Sequence, residues 1–387
     1  MQRYDVAVVG AGLAGLWCAR DLSRRGAHVV LIDARAMVDG FVRTTGIFVR
    51  RTFDDFAFPA GCLGDPIRRV IVHSPLGHRL TLESERDEFR VGDMRALQRA
   101  LLSECLRAGV DWRPRTRYRG LSASERDVVL SLQSETFPGE RVSARFVVGA
   151  DGARSQVAAG LGLPRNRDFL IGVEDVYEGL APTREPALHC VLDPRLAPGY
   201  LAWLVRDTTS AHVGVGGDAN RIRPAASLAR FTRSLDPAVG VALARRTERR
   251  GGLIPVNGVL PRIACERGLL VGDAAGAVSP LTAGGLDACV RLSAFAARLI
   301  ADGLRKRTAA ALTAYDGRAF APRFVARRWM RVALRCADAS MLELVCRMLA
   351  LPGLRALGAS LFFSRGSFPD PKPIGACPAA VARRPAG

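Results

Sequence analysis

Apolar and polar residues near the start of the chain predict a strand, a helix and a second strand. The chain opens on the apolar run Tyr4–Val9, which has the length and the β-rich composition of a buried strand. A glycine-rich turn follows, and a helix-like segment extends from about Leu16 to Arg25. After Gly26 a second apolar run, His28–Ile32, ends at Asp33. This order predicts a βαβ unit with parallel strands.

Two further apolar runs, far apart in the sequence, each end in a turn that combines glycine with aspartate. The run Phe146–Gly149 leads into an Asp-Gly pair that begins at Asp151. The run Gly268–Val271 leads into a Gly-Asp pair that ends at Asp273. Each run therefore predicts a strand whose carboxyl end carries a tight, polar turn.

The regions before and after the second turn differ in their periodicity. A helix pattern opens at about Gly284 and continues to Leu304. Residues of about 165–260 instead alternate between polar and apolar, with turn residues between the segments, which predicts a mainly antiparallel sheet. The predicted strands in this region are Phe169–Tyr177, Leu188–Leu192, Tyr200–Arg206 and Ala211–Gly216.

The C-terminal region from about Thr308 has a helical pattern with a basic stripe. Side chains that recur every four residues share one face of a helix. The arginines at this spacing are Arg323, Arg327, Arg331 and Arg335. Apolar residues such as Phe324 and Trp329 stand beside them. Two interpretations stay open: contact with an anionic membrane surface, or a solvated arginine face on a helix that packs against the rest of the protein.

Composition and charge narrow the class of protein. A chain of 387 residues with 49% hydrophobic and 24% charged residues is long enough for two or three globular domains. The net charge of +19 comes almost entirely from arginine, since Lys306 and Lys372 are the only lysines. This excess of arginine has two explanations. Either a GC-rich genome encodes arginine where others encode lysine, or the protein is attracted to anionic membranes or acidic ligands. Nucleic-acid binding is not expected, because no zinc finger, RNP motif or basic region with heptads is found.

The expected location is the cytoplasm. Peripheral contact with the inner face of the membrane is a second possibility that the sequence leaves open. Nine cysteines without a CxxC pair indicate reduced thiols and predict neither a disulfide framework nor a metal site. No apolar stretch approaches the roughly 20 residues of a membrane span. Asp5 lies inside the first apolar run, which argues for a strand and against a signal peptide.

The first turn carries the dinucleotide-binding fingerprint in its full structural context. Gly10 allows the tight turn, Gly12 lets a pyrophosphate approach the backbone, and Gly15 lets helix and strand pack closely. The diphosphate would lie at the helix N-terminus, where free amides and the helix dipole favour an anion. Asp33 ends the second strand, where its carboxylate can accept hydrogen bonds from ribose hydroxyls.

Over roughly residues 1–310, the chain resembles the family of group A flavoprotein monooxygenases and geranylgeranyl reductases. The resemblance lies in the order of the motifs: GxGxxG, acid, Asp-Gly turn, Gly-Asp turn and helix. This resemblance implies FAD, with Asp273 bonding the ribityl chain or its phosphate region and the following helix directed at the flavin N1–C2=O locus. The implied cofactor-binding residues are Gly10, Gly12, Leu13, Ala14, Gly15, Asp33, Ala34, Arg35, Arg43, Thr45, Gly46, Asp151, Gly272, Asp273, Gly284, Gly285 and Leu286.

A second stretch resembles geranylgeranyl reductases in particular. The segment from Pro198 to Val205 is similar to their GYxWxFP motif, with one extra residue between tyrosine and tryptophan and no Phe-Pro. The resemblance implies an apolar tunnel in which Tyr200 is a polar group and Trp203 a wall, although both could simply be core aromatics of a strand. Relatives often have a Cys-Gly pair facing the flavin, where this chain has Thr45 and Gly46. The expected catalytic residues are therefore Tyr200, Trp203 and Thr45.

The expected reaction is reduction of a C=C bond in an isoprenoid or prenyl-lipid substrate by hydride from reduced flavin, with NADPH or ferredoxin as possible electron donors. A quinone or a carotenoid-like compound would be a related substrate. One alternative is a monooxygenase acting on an aromatic or polyketide molecule, and another is a non-catalytic flavin-binding protein. The expected partner is a hydrophobic small molecule, with no metal and no nucleic acid.

The predicted fold class is α/β (α+β overall), with a Rossmann-like three-layer FAD-binding domain, an antiparallel-sheet substrate domain and a helical C-terminus. The expected FAD-binding domain is discontinuous and combines residues 1–165 with 260–305. Residues 166–259 would form the substrate domain and 306–368 the C-terminal helices. The segment 369–387, rich in proline, alanine and arginine, is predicted to be a flexible tail.

Overall fold

The computed structural model of the chain describes residues 1–363, except 125, 135–138, 184 and 207–209. The predicted tail 369–387 lies outside the described residues. The strands are β1 (Gln2–Val9), β2 (Val29–Ile32), β3 (Ile47–Val49), β4 (Leu63–Ile67), β5 (Arg69–His73), β6 (Arg79–Glu83), β7 (Phe89–Gly92), β8 (Asp111–Arg113), β9 (Thr116–Ala123), β10 (Val128–Ser134), β11 (Arg141–Gly149), β12 (Phe169–Glu178), β13 (Ala187–Val191), β14 (Ala202–Arg206), β15 (Ser210–Asp218), β16 (Arg245–Pro255), β17 (Ala264–Cys265) and β18 (Gly268–Leu270).

The α-helices are α1 (Leu13–Arg24), α2 (Arg50–Asp55), α3 (Met94–Arg107), α4 (Gln156–Gly160), α5 (Pro224–Ser234), α6 (Leu286–Lys306), α7 (Gly317–Phe320), α8 (Val325–Cys336), α9 (Ala339–Ala350) and α10 (Pro352–Phe363). Short 3₁₀ turns lie at Pro237–Val239, Val241–Leu243, Gly272–Ala275, Ala310–Ala314 and Ala321–Phe324. The first strand, helix and strand of the sequence prediction are thus present, with bounds that differ by at most three residues.

The central sheet has eight strands, in the order β17-β18-β11-β1-β2-β8, with β10 and β9 added beside β11. Strands β18, β11, β1, β2 and β8 run parallel to one another, whereas β17 is antiparallel to β18 and β10 is antiparallel to β11. Strand β2 is buried at every position, as expected for a parallel strand covered on both faces. Helices α1, α3 and α6 pack together on this sheet and share one apolar core with it.

The second sheet has seven strands in the order β16-β12-β15-β14-β13-β5-β6 and is antiparallel except between β13 and β5. Strands β5 and β6 differ from the sequence expectation, which assigned residues 1–165 to the FAD-binding domain. Apolar residues of one face pack against Leu228 and Phe231 of α5. The opposite face contacts loops of the first domain, through Thr45 at Glu174 and Thr282 at Tyr200. A third, small sheet has the order β3-β7-β4.

The C-terminal helices bring the arginine stripe against the protein. Arg331 is 5% exposed and donates a hydrogen bond from Nη1 to the carbonyl oxygen of Gly199 at 3.0 Å. Arg335 pairs through Nε with Asp218 at 2.7 Å. The arginine stripe was expected to face solvent or lipid. At Arg331 and Arg335 it instead contacts the rest of the protein. The helical period predicts which side chains share a face, whereas tertiary packing decides where that face points.

Among the described residues, no single helix is long and apolar enough to cross a membrane. Helices α9 and α10 meet that test of length and composition only as a pair, and they are bent by 107° relative to each other.

Candidate active site

The glycines of the first turn are required by contacts that a side chain would obstruct. Gly10 has φ +103°, and a Cβ there would lie 2.4 Å from the carbonyl oxygen of Ala150. A Cβ on Gly15 would lie 1.8 Å from the carbonyl oxygen of Gly10. Gly12 is different, because a Cβ there would meet no protein atom within 4 Å. Gly12 precedes α1 without a side-chain cap, so open space and free helix amides lie together, which fits a pyrophosphate.

Asp33 is held in a fixed position at the end of β2. Its carboxylate accepts hydrogen bonds from the backbone amides of Ala11 and Arg35, both at 2.7 Å. The Arg35 guanidinium also contacts both carboxylate oxygens at 3.0 Å. Burial acts to raise the pKa of Asp33, but the hydrogen bonds and charge of Arg35, with the two amides, hold it below its ordinary value. Asp33 is therefore an ionised acceptor beside the glycine turn.

The side chain of Asp151 stabilises the Asp-Gly turn after β11 through hydrogen bonds. Asp151 accepts hydrogen bonds from the Ser155 hydroxyl at 2.6 Å and from the amides of Gln156 and Val157 at 2.6 and 3.1 Å. These contacts shape the turn that begins α4. The role of Asp151 toward a cofactor remains a prediction.

Two asparagines that the sequence analysis did not identify connect the Asp-Gly and Gly-Asp turns. Asn166 donates to the carbonyl oxygens of Ala153 at 3.0 Å and Asp273 at 2.8 Å. Asn257 donates to Asn166 Oδ1 at 3.1 Å. Asparagines in loops carry no local signal of such a role, because their partners lie far away in the sequence.

Asp273 stands in the Gly-Asp turn after β18, beside α1. Gly272 adopts φ +59° and packs so closely on α1 that a Cβ would lie 2.9 Å from Cβ of Ala14. Asp273 is accessible to solvent. The surrounding protein acts to raise the pKa of its carboxyl group above the ordinary value, while the positive charge of Arg43 acts in the opposite direction. Asp273 is thus an accessible carboxyl group within the field of Arg43.

Helix α6 begins a short loop after the Gly-Asp turn. Gly285 precedes the helix without a side-chain cap, and Gly284 is exposed. The Tyr200 hydroxyl joins this loop to the second sheet by donating to the carbonyl oxygen of Thr282 at 2.6 Å. The uncapped amides at the start of α6 are the kind of group that stabilises a partly negative ligand.

One face of the second sheet contains a row of three glycines. Gly172 of β12 is paired directly with Gly216 of β15 and with Gly252 of β16. Directly paired residues share a face, so the missing side chains leave room for groups that lie on this row. Ile254 lies on Gly172, and Arg43 lies over the edge, with its Cδ 3.8 Å from the Cβ position of Gly252.

Two aromatic rings lie flat on this face because glycines stand beneath them. A Cβ on Gly214 would lie 2.1 Å from Cε2 of Trp203, and a Cβ on Gly216 would lie 2.8 Å from Cδ1 of Tyr200. Tyr200 also packs with Leu170. The two aromatic residues predicted from the sequence are thus brought together on the glycines of this face.

A buried carboxylate lies beside Trp203. Glu174 is 2% exposed and accepts hydrogen bonds from the Thr45 hydroxyl and, at 2.8 Å, from Trp203 Nε1. His212 Nδ1 is 3.2 Å and Arg250 Nη1 is 3.7 Å from its other oxygen. Burial acts to raise the pKa of Glu174, but the hydrogen bond and charge of His212, with Thr45 and Arg250, hold it below its ordinary value.

The sequence analysis missed Glu174, His212 and Arg250. The available signal was a glutamate at an inward position of the predicted strand Phe169–Tyr177, where an unpaired charge would be costly. The predicted residues otherwise fall into three groups. These are the first turn with Asp33, Ala34 and Arg35; the loop of Arg43, Thr45 and Gly46; and Gly272, Asp273, Gly284, Gly285 and Leu286. Glu174 joins Thr45 to Trp203, and the loop before α6 is joined to Tyr200 through Thr282. Their common role in cofactor binding stays a prediction.

Comparison with known proteins supports the same architecture. Residues 3–328 match the model of a family described as an FAD binding domain. A digeranylgeranylglycerophospholipid reductase of Methanococcoides burtonii is 24% identical over 319 residues, which cover 78% of this chain and 75% of that protein. The protein of the same name from Methanosarcina acetivorans is 28% identical over 297 residues, with coverage of 73% and 71%.

Solved structures share the fold over nearly the whole chain. A geranylgeranyl bacteriochlorophyll reductase-like protein from Thermoplasma acidophilum has a TM-score of 0.81 at 19% identity, covering 94% of this chain and 97% of that chain. The p-nitrophenol 4-monooxygenase of Pseudomonas putida has a TM-score of 0.67 at 18% identity, with 94% coverage of both chains. The predicted fold class is confirmed by these likenesses.

Proposed function

The chain belongs to the FAD binding domain family, and on that premise we propose that it is an oxidoreductase that reduces carbon–carbon double bonds of a hydrophobic isoprenoid. This membership confirms FAD, the cofactor predicted from the glycine turns, and the relatives named as reductases support the reaction. Bound FAD in its reduced form would supply the hydride. We propose NADPH or reduced ferredoxin as the source of its electrons.

The two aromatic rings that pack on glycines of the second sheet carry this proposal. Trp203 lies on Gly214 and Tyr200 on Gly216, at positions where a side chain would obstruct the ring. The half-buried ring of Trp203 suits an extended hydrocarbon chain, because contact with aromatic surface removes apolar area from water.

The surrounding residues would bind the cofactor and position the substrate against it. The open space at Gly12 would hold the pyrophosphate, and Asp33 would accept ribose hydroxyls. Asp273 would contact the ribityl chain, and the amides at Gly285 would stabilise negative charge on the reduced ring. Trp203 would exclude water from the alkene.

The alternative function is that of a flavin-dependent monooxygenase. The fold shared with the p-nitrophenol 4-monooxygenase is the observation in its favour. The two reactions differ in their need for oxygen. A reductase consumes hydride and a proton, whereas a monooxygenase must first react with molecular oxygen.

The test is anaerobic reoxidation of the reduced protein. The flavin is reduced with dithionite without oxygen, the excess is removed, and a geranylgeranyl lipid is added while flavin absorbance is followed. We expect the oxidised spectrum to return and the lipid to gain two hydrogen atoms per double bond. The matched control is the fully saturated phytanyl lipid, which should leave the flavin reduced. Reoxidation that occurs only after oxygen is admitted, with a hydroxylated product, would instead establish a monooxygenase.

We also propose that the protein binds the surface of an anionic membrane at its inner face through the outer side of α8 and α9. Arg331 is buried and Arg335 is paired with Asp218, whereas several large apolar side chains on these helices are exposed, among them Trp329 at 72%. The apolar set is Val325, Trp329, Val332, Met341, Leu344, Val345 and Met348. The exposed Arg328 and Arg347 lie on the same helices, and the chain carries a net charge of +19, so an anionic lipid surface complements both its apolar and its basic character.

Vesicle co-sedimentation tests this surface. The variant Trp329→Ser/Leu344→Ser/Val345→Ser should bind anionic vesicles at least tenfold more weakly than the unchanged protein, because each apolar side chain that leaves water contributes on the order of 1.5–3 kcal/mol. Leu243→Ser is the matched control, since Leu243 is 96% exposed but lies on the second sheet domain. Equal binding by the triple variant and the control would contradict the proposed surface.

A further inference from the structure

A cavity in the second sheet domain lies between helix α5 and the loop that joins β13 to β14. Its volume of about 390 Å³ falls within the roughly 300–1,000 Å³ that is typical of small-molecule sites. Four arginines line it: Arg195 in the loop, Arg221 and Arg223 just before α5, and Arg230 on α5. None of the described residues that line the cavity is acidic. The cavity is therefore strongly basic.

The period of α5 turns one side of the helix to the core and another to the cavity. Leu228 and Phe231 are buried in the apolar core of the second sheet. Arg223, Ala226 and Arg230 stand three or four residues apart and share the side that lines the cavity. The helix therefore presents two arginines to the same space.

Three of the four arginines have no acidic partner. Arg195 is paired with Asp193, with its Nε 3.0 Å from Oδ1. Arg221 donates from Nη1 only to a backbone carbonyl oxygen, at 3.0 Å, which leaves its charge uncompensated. Arg223 and Arg230 are exposed and form no ion pair with any residue that the structure describes. An anion with several acceptor oxygens would relieve the repulsion among these like charges.

The remaining surface of the cavity favours an anion that also carries an apolar part. Pro194, Pro198 and Ile222 supply apolar lining. An inorganic anion would leave this lining uncovered, whereas an amphipathic anion would remove it from water. The carbonyl oxygen that Arg221 contacts belongs to Arg335, near the end of α8. The cavity thus lies beside a helix of the proposed membrane surface.

We propose that this cavity binds the phosphate headgroup of an anionic lipid, with Arg221, Arg223 and Arg230 donating to the phosphate oxygens. Arginine suits this role because its planar guanidinium can donate two parallel hydrogen bonds to a phosphate. The choice of a lipid as the source of the phosphate rests on the proposed membrane surface. The binding itself involves no electron transfer, so its test is separate from that of the proposed reaction.

Isothermal titration calorimetry of the full-length protein tests the site. One probe is dihexanoyl phosphatidic acid below its critical micelle concentration, and the other is inorganic phosphate. We expect the lipid to bind about tenfold more tightly or better, because its acyl chains cover apolar lining. Equal affinity for the two probes would indicate a site for free phosphate and overturn the lipid as its ligand. Absence of binding by either probe would refute the site.

A double substitution tests the arginines of α5. Arg223→Gln/Arg230→Gln should weaken binding of the soluble lipid by about tenfold or more, because charge-assisted hydrogen bonds to the phosphate are lost. The matched control is Arg107→Gln/Arg141→Gln, which removes the same charge from exposed positions on α3 and β11. This control accounts for the general attraction of an anion to a basic protein. Equal weakening in both double variants would mean that net charge attracts the lipid and that the cavity does not bind it.

A second pair of variants keeps every arginine in place. Ala226→Glu puts an acid between the two arginines of α5 and should weaken binding of the lipid as strongly as their removal. Ala229→Glu adds the same charge to the same helix at an exposed position outside the cavity, and it should bind like the unchanged protein. Equal affinities of these two variants would contradict the site. Binding of the soluble lipid by a protein that ignores anionic vesicles would contradict the membrane surface and leave the cavity site standing.

Discussion

Replacing Gly15 with alanine is expected to yield a destabilised protein that retains no FAD. The added Cβ would lie 1.8 Å from the carbonyl oxygen of Gly10 and 3.2 Å from Cβ of Ala150. The nearer atom belongs to the backbone of the fingerprint turn and cannot swing aside as a side chain would. Relief requires α1 to move away from β1, which opens the core where both are buried. We expect a loss of about 1–3 kcal/mol or more from overpacking, together with loss of the pyrophosphate site.

Gly12→Ala separates the cofactor effect from the folding effect. Its Cβ meets no protein atom within 4 Å, and its φ of −76° suits alanine, so the flavin-free protein should unfold at nearly the same temperature as the unchanged one. The methyl group would nevertheless occupy the space assigned to the pyrophosphate, and FAD content should fall. Gly120→Ala, which also meets nothing within 4 Å, is the neutral control in β9. Full FAD content in Gly12→Ala, measured by absorbance after purification, would place the pyrophosphate elsewhere.

The cofactor half of the fold was predictable because its signals are local. The strand, turn, helix and acid of the first unit lie within about 30 residues, which is the span of a βαβ unit. The structure begins α1 at Leu13, three residues before the predicted start, since the helix follows directly on the Gly12 turn. Small errors of this kind at helix ends leave the chemistry of the turn unchanged.

The second sheet could not be predicted in full, because part of it is assembled from distant segments. Strand β13 pairs in parallel with β5, whose partner residues Arg69 and Ala187 are more than one hundred positions apart. A strand pattern in the sequence shows that a segment is extended, but it does not show which other strand it pairs with. The same limit applies to Glu174, whose four polar partners come from the loop at Thr45 and from three different strands.

The arginine stripe shows a related limit of helical periodicity. The spacing of Arg331 and Arg335 correctly predicts a shared face on α8. Their partners are the carbonyl oxygen of Gly199 and the carboxylate of Asp218, both in the second sheet domain. A buried arginine needs such acceptors. They lie far from residue 331 in the sequence, so the local sequence could not predict them.

Replacing Gly214 with alanine is expected to displace Trp203 and to impair substrate turnover while FAD stays bound. The new Cβ would lie 2.1 Å from Cε2 and 2.6 Å from Nε1 of Trp203, so the indole must rotate off the sheet and lose its hydrogen bond to Glu174. We expect destabilisation of about 1–3 kcal/mol, the usual cost of overpacking a core, and a fall of at least tenfold in kcat/KM for alkene reduction. Gly120→Ala is the control, because its Cβ would meet no atom within 4 Å and β9 belongs to the central sheet, away from Trp203.

A double-mutant cycle identifies the cause without measuring activity. Trp203→Ala alone should destabilise the protein by about 3–5 kcal/mol, since it removes a large packed ring. In the presence of Trp203→Ala, the Gly214→Ala substitution should cost almost nothing, because the ring that obstructs its methyl group is gone. The coupling between the two substitutions should therefore be about as large as the cost of Gly214→Ala itself. Additive losses in the unfolding free energies of the four proteins would mean that Trp203 does not lie on Gly214 in solution.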